Sequence, residues 1–479
     1  MPRRKDRLER LIREIVCSGQ LDTAMAQEAF AKDWIAAYQR YYQKAVSLPA
    51  HTLCDSVSHK RWASFRGWGQ SLRQPSLIRS QGMIVLDTSV RQSSRPFRVA
   101  VPQATIDRIL NRVREAQFPD RLDGNDWRYG TDWDYMKALA DYWANEYDWR
   151  KAETNLNRYP QFVARVNDYD IHFYHVKGRG PKPMPLVLTH GWPGSVFEFL
   201  EAIGPLSDPA SYGGSPEDAF DVIVPSLPGY GFSSKPKGKP IGPATTAALW
   251  DHLMTGVLGY AKYGAQGGDL ANGIQVQLGR TYPNSLVGLH FNGIAISAAP
   301  LPPEAEQTPE ERAYVRALAA YRLTELDYNS EQRNKPQTVA LALSDSPIGV
   351  AAWIVEKLKA WSDSSSREPA FTKEQVITNV MIYLVTNTIG TAAWFYRGLN
   401  EDAGALDGRV TVPTGFASSP HEMTLLNRQE AHWSEISIWF TTPRCREEAV
   451  SRSGSSPRRW WQMCGNSSKN CALRPRSLL

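Results

Sequence analysis

The fold of this chain is decided by residues 264–271, which read GAQGGDLA. An apolar stretch precedes this run, and residues 272–278 after it read as the start of a helix. A strand that turns on glycines into a helix is typical of a nucleophile elbow, here with Asp269 at the tip. Gly267 and Ala271 are small enough to let the backbone bend sharply there. An isolated Gly-Gly-Asp turn is more often a surface loop, so the prediction depends on its surroundings.

A carboxylate at the tip narrows the chemistry. A serine there would predict acyl transfer, whereas Asp269 favours displacement at carbon through an alkyl-ester intermediate.

Two other runs support the elbow. Residues 186–195 read LVLTHGWPGS, an apolar strand that leads into a glycine-proline loop. In α/β-hydrolases such a loop supplies an oxyanion donor, which predicts the Trp192 N–H with the Leu270 N–H as its partner. The alternative is an ordinary strand and turn with Trp192 in the core. Residues 220–233, FDVIVPSLPGYGFS, read as a buried strand that breaks into a loop.

In this order, the runs resemble the microsomal-type epoxide hydrolases, with His190, Gly191 and Pro193 as motif residues beside Trp192. The resemblance covers roughly residues 96–444 and includes further matching segments at 96–102, 147–150, 156–157, 171–175, 343–349 and 412–416. Several motifs in one order are more specific than any single pattern.

The resemblance implies an α/β fold: an α/β-hydrolase core with a mostly parallel sheet, a helical cap domain and an N-terminal epoxide-hydrolase segment. The alternation of strands and helices from 186 to about 296 independently favours a parallel sheet. The predicted parts are an extension and linker (1–95), the N-terminal segment (96–160), the first part of the core (161–299), the cap (300–396), the second part of the core (397–444) and an aberrant tail (445–479). Residues 5–42 read as two amphipathic helices.

Opening an epoxide needs a nucleophile at carbon and an acid at oxygen. The resemblance makes Asp269 the nucleophile and two cap phenols, Tyr328 and Tyr396, the acids. It also implies Glu422 as the carboxylate that orients a histidine base, although a solvated loop glutamate is the alternative for Glu422.

The expected histidine itself is missing. The family's last strand leads into Pro-Arg-Gly-Gly-His-Phe, but here residues 445–450 read CREEAV and no histidine follows His432. Codons for 445–449 read one base earlier permit Pro-Arg-Gly-Gly, and residues 460–469 then permit an amphipathic helix. The shifted frame does not encode histidine at the expected position. We therefore expect a frameshifted C-terminus, and an epoxide that modifies Asp269 once and then stalls.

Composition is that of a globular protein, with 42% hydrophobic and 22% charged residues. The net charge of +6 comes from the two ends of the chain, so it does not predict a nucleic-acid partner. Five scattered cysteines predict neither a disulfide framework nor a zinc site. No apolar run long enough to cross a membrane and no secretory signal are visible. We expect no cofactor and no metal, a cytoplasmic location, and a small-molecule epoxide and water as the partners; a homodimer stays open.

The expected activity is epoxide hydrolysis to a vicinal diol, in detoxification or aromatic hydrocarbon catabolism. A haloalkane dehalogenase is an alternative, but those enzymes usually place a halide-binding tryptophan directly after the nucleophile, where this chain has Leu270. The missing histidine keeps open a third interpretation, a catalytically impaired pseudoenzyme of the same family that binds small apolar ligands or has no activity.

Overall fold

The computed structural model describes residues 94–124, 126–292, 307–362, 369–404, 410–417 and 438–440. Their strands are β1 (Arg95–Phe97), β2 (Gln161–Val166), β3 (Tyr169–Val176), β4 (Met184–Thr189), β5 (Phe220–Pro225), β6 (Tyr263–Gly268), β7 (Leu286–Asn292), β8 (Val410–Ala417) and β9 (Ile438–Phe440). Their helices are α1 (Gln103–Arg114), α2 (Trp133–Asn145), α3 (Trp149–Leu156), α4 (Leu200–Ser207), α5 (Pro243–His252), α6 (Leu270–Thr281), α7 (Pro309–Thr324), α8 (Asp327–Asn334), α9 (Pro336–Ser344), α10 (Pro347–Ala360), α11 (Lys373–Thr386) and α12 (Ile389–Glu401). The predicted helices within 5–42 and the tail 445–479 lie outside the described residues.

The nine described strands form one sheet in the order β1-β2-β3-β5-β4-β6-β7-β8-β9. Antiparallel pairing joins β1 to β2, β2 to β3 and β3 to β5. Every pairing from β5 across to β9 is parallel. Strand β5 is buried at all six positions, as expected for a strand covered on both faces. This sheet confirms the predicted α/β-hydrolase core.

The reversal of strand order around β4 positions the site. Strand β5 pairs with one side of β4, and β6, the next strand in the chain, pairs with the other side. The loops after β4 and β6 therefore leave the same edge of the sheet side by side, and ligands of open α/β sheets bind at such an edge.

The N-terminal segment is mainly helical, and an asparagine near its end bonds the backbone near its start. The Asn157 side chain accepts from the Val99 N–H at 2.9 Å and donates to the Val99 carbonyl at 2.8 Å. A single amide thus pairs both backbone groups of Val99 before the chain enters α1. The matching segment at 156–157 has a structural explanation in this contact.

Helices α7 to α12 form the cap. Helix α11 begins with a capping box, in which Thr372 and Gln375 each bond the other's backbone. Helix α12 ends at Glu401, so the last cap helix runs past the boundary predicted at residue 396. The reason is that its apolar face continues to pack after Tyr396, with Gly398 also buried.

Cap and core share one apolar interior. Its largest fully buried side chains come from both parts: Trp143, Trp250, Tyr174, Tyr230, Tyr263, Tyr383, Tyr396, Phe173, Phe395, Leu139 and Leu156. Among the described helices none is long and apolar enough to span a membrane alone; α11 and α12 reach that length and hydropathy only as a pair bent by 90°.

Candidate active site

Asp269 stands at the tip of a strained turn between β6 and α6. Its φ of 53° and ψ of −121° lie outside the regions that side chains prefer, at a cost of about 1–3 kcal/mol. A Cβ on Gly267 would approach the Ala271 Cβ to 2.5 Å, and one on Gly268 would approach the Asn292 carbonyl oxygen to 2.8 Å. Both glycines are therefore required for the turn that presents the Asp269 carboxylate.

The loop after β4 meets this carboxylate with a backbone donor. The Trp192 N–H donates to Asp269 Oδ1 at 2.9 Å. Gly191 makes the approach possible, because a Cβ there would lie 2.6 Å from the same oxygen. Leu270, the second predicted donor, is the first residue of α6, where backbone N–H groups lack a partner within the helix.

His190 is a structural residue of this loop. Its Nε2 accepts from the Leu227 N–H at 3.1 Å, so its Nδ1 carries the proton and donates to the Gly191 carbonyl at 3.0 Å. Burial lowers the pKa of His190 to about 4, which keeps the ring neutral. Both nitrogens are occupied, so His190 holds two loops together and does not offer a free base.

The two cap phenols face each other above Trp192. The Tyr396 hydroxyl donates to the Tyr328 hydroxyl at 3.5 Å, from helices α12 and α8. The Tyr328 ring stacks on Trp192 with 4.9 Å between ring centroids, and the Tyr396 ring meets Trp192 edge-on at 5.9 Å. The three aromatic rings, contributed by three separate elements, form the apolar wall of the site.

Electrostatics link these phenols to the carboxylate. Burial, followed by the negative charge of Asp269, raises the pKa of Tyr328. Burial first, then the neighbouring Tyr328 and the charge of Asp269, raise the pKa of Tyr396 well above 10. Both phenols are therefore neutral hydrogen-bond donors near neutral pH, and both lie within the field of Asp269.

Two residues that the sequence analysis missed hold the oxyanion loop from the cap. On α11, Asn379 donates to the Pro193 carbonyl at 2.7 Å and accepts from the Ser195 hydroxyl at 2.9 Å. Tyr383, one turn later, donates to the Gly194 carbonyl at 2.6 Å. Their only sequence signal is an asparagine and a tyrosine four residues apart in the apolar run 376–385.

A third missed residue is Glu198, which follows the loop in a short 3₁₀ helix, Val196–Phe199. Burial and then the charge of Asp269 raise the pKa of Glu198, and the nearby Gly191 N–H opposes this rise. No signal in the sequence marks Glu198, because a glutamate near a helix start is common.

The predicted Glu422 lies outside the described residues, so its role stays a prediction. Among the residues that the structure describes, no group of three His, Cys, Asp or Glu side chains could hold a metal ion.

A carboxylate at a strand-to-helix elbow, a backbone donor from the loop after β4 and a helical cap define an α/β-hydrolase. Residues 94–199 match the family model described as "Epoxide hydrolase N terminus". The chain is 38% identical over 344 residues to an epoxide hydrolase homologue of Stigmatella aurantiaca, covering 71% of this chain and 76% of that one. It is 35% identical over 364 residues to Epoxide hydrolase 1 of Oryctolagus cuniculus, covering 69% and 79% of the two chains.

Solved structures agree with these relatives. The juvenile hormone epoxide hydrolase of the silkworm Bombyx mori superposes with a TM-score of 0.68 at 27% identity, covering 79% of this chain and 95% of that one. The chain belongs to the epoxide hydrolase family, which confirms the resemblance read from the motifs.

Proposed function

We propose that this chain opens small-molecule epoxides to vicinal diols by attack of the Asp269 carboxylate on a ring carbon. The observation that carries the proposal is the arrangement of one carboxylate, held at 2.9 Å by a backbone donor, beside two hydrogen-bonded neutral phenols. Nucleophile and acid are the two groups that ring opening requires, and they belong to opposite sides of the site.

In the first step, a carboxylate oxygen of Asp269 bonds to the epoxide carbon and the carbon–oxygen bond of the ring breaks. The oxygen that leaves takes a proton from Tyr328 or Tyr396. Because these phenols are neutral and buried, their hydrogen bonds to the developing alkoxide act in a medium of low dielectric constant. The product of this step is an ester between Asp269 and a hydroxyalkyl group.

In the second step, water attacks the carbonyl carbon of the ester and releases the diol. The Trp192 N–H, which holds the carboxylate in the free protein, then faces the oxygen that becomes an oxyanion. This step also needs a base, which the sequence analysis assigned to a missing histidine near Glu422. If no base acts, the protein is alkylated once per molecule, as expected for the pseudoenzyme alternative.

Intact-mass spectrometry of the full chain exposed to styrene oxide tests the proposal. We expect one adduct per molecule, or diol production, and we expect both to disappear in Asp269→Asn. Asp168→Asn, an exposed aspartate whose side chain is 99% accessible, is the matched control and should behave as the unmodified chain. An adduct that survives in Asp269→Asn would rule out Asp269 as the nucleophile.

A further inference from the structure

A second carboxyl group lies beside the nucleophile. Gly191 lies beside both: a Cβ built on it would stand 2.6 Å from Asp269 Oδ1, and its N–H is close enough to the Glu198 carboxyl group to favour the ionised form. The α-carbon of Gly194 abuts Glu198 Oε2, because a Cβ built there would collide with that oxygen. Two glycines therefore leave the space into which Glu198 folds back toward the site.

Glu198 is open to water despite its surroundings. The side chain is exposed, although protein groups crowd it closely enough for burial to be the largest cause of its raised pKa. Water therefore reaches this carboxyl group.

The groups that face Glu198 come from three elements. Asp269 at the elbow supplies the charge that raises its pKa, and the Gly191 N–H approaches it from the loop after β4. On the cap, burial and then the charge of Glu198 raise the pKa of Tyr383, so this phenol also lies in the field of Glu198.

We propose that Glu198 activates the water that hydrolyses the Asp269 ester. This role rests on the proposed function, because it acts on the ester that ring opening creates. It supplies the base that the sequence analysis found missing, from a residue on the side of the oxyanion loop instead of the C-terminal part of the chain.

Formation of the ester prepares Glu198 for this role. Alkylation converts the Asp269 carboxylate into a neutral ester, and the negative charge that raises the pKa of Glu198 disappears. The pKa of Glu198 then falls toward the value that burial sets, and its proton passes to the more basic phenolate that ring opening leaves. Glu198 is therefore protonated while Asp269 is ionised, and it becomes a base once Asp269 has formed the ester.

The atoms balance in the hydrolysis step. The water oxygen bonds to the ester carbonyl carbon, and one water proton moves to the Glu198 carboxylate. The tetrahedral intermediate then breaks the bond to the alkoxide, which takes this proton from Glu198 and leaves as the diol. The remaining water hydrogen passes from Asp269 to Glu198, which regenerates the Asp269 carboxylate beside a protonated Glu198. General-base help of this kind is typically worth about 10²–10⁴-fold in rate.

The test follows the Asp269 adduct with time by intact-mass spectrometry, using the full chain and a stoichiometric amount of styrene oxide. We expect the adduct of the unmodified chain to decay with release of phenylethanediol, and that of Glu198→Gln to persist about 100-fold longer or more. Glu201→Gln is the matched control, because Glu201 lies three residues later and forms a surface ion pair with Arg158 at 2.9 Å. Its adduct should decay as in the unmodified chain.

A pH jump on the unmodified adduct gives a second measurement that needs no variant. Decay should accelerate as pH rises through the pKa of Glu198 and then level off. Equal decay in the unmodified chain and Glu198→Gln, a decay that does not vary with pH, or a permanent adduct in the unmodified chain would each overturn the role of Glu198 while leaving ring opening by Asp269 intact. Absence of both adduct and diol would overturn the proposed function itself.

Discussion

Replacing Gly191 with alanine should impair the nucleophile without unfolding the protein. The new Cβ would lie 2.6 Å from Asp269 Oδ1, whereas ordinary contacts begin at 3.4 Å. The oxygen must therefore move away by about 0.8 Å, which stretches the 2.9 Å bond from the Trp192 N–H to at most about 3.7 Å and takes it out of good hydrogen-bond geometry. Loss of one such donor, or a displacement near 1 Å, typically costs about 10²-fold or more in rate.

The assay is the rate at which styrene oxide alkylates Asp269 in a single turnover, measured by intact mass. Gly264→Ala on β6 is the control, because the nearest atoms to its Cβ would be side-chain atoms at the ordinary distance of 3.4 Å. We expect the control to react at the original rate and Gly191→Ala to react about 100-fold more slowly, both with cooperative thermal unfolding. Alkylation of Gly191→Ala at the original rate would refute the proposal that this backbone donor orients the carboxylate.

Three further predictions follow from other contacts of the site. Tyr328→Phe and Tyr396→Phe should each slow alkylation by about 10²-fold, and the double variant should slow it further; equal rates in single-turnover assays would exclude the phenols as acids. Asn379→Ala leaves buried groups of the oxyanion loop without partners, so urea denaturation should show a loss of about 1–3 kcal/mol together with slower alkylation, and an unchanged midpoint would contradict this. Burial lowers the pKa of His190 to about 4, below its value of about 6.5 in the unfolded chain, so the unfolded chain binds the proton first as pH falls. The free energy of unfolding should therefore decrease between about pH 6.5 and pH 4, by at most roughly 1.4 kcal/mol per pH unit. Urea titrations at several pH values, compared with His190→Gln, measure that contribution.

The sequence was sufficient where the signal is local. The elbow around Asp269 could be predicted because a tight turn restricts residue size at neighbouring positions, and such restrictions are visible within eight residues. The strand before Trp192 was equally clear, because a buried parallel strand is a continuous apolar run. Both features lie at the same sheet edge because their strands are parallel, which the alternation of strands and helices already indicated.

Contacts between distant segments could not be predicted in the same way. Asn379 bonds a loop 186 residues earlier in the chain, and nothing in its own neighbourhood marks it as different from a tolerated polar residue in a buried helix. Glu198 was missed because a glutamate at a helix start is common, and only its position beside Gly191 makes it unusual. The predicted Glu422 lies outside the described residues and stays a prediction.

The three hydrogen bonds from α11 to the loop at residues 193–195 bear on how a substrate enters. At about 1 kcal/mol each, they make a state with α11 lifted from the loop about 3 kcal/mol less favourable, a population below about 1%. Access through that side would also release the loop that carries the Trp192 donor. Exchange of substrate and product should therefore use movements of the other cap helices. A cap transplanted from a relative would carry the activity with it only if it brings an equivalent pair of loop-binding side chains.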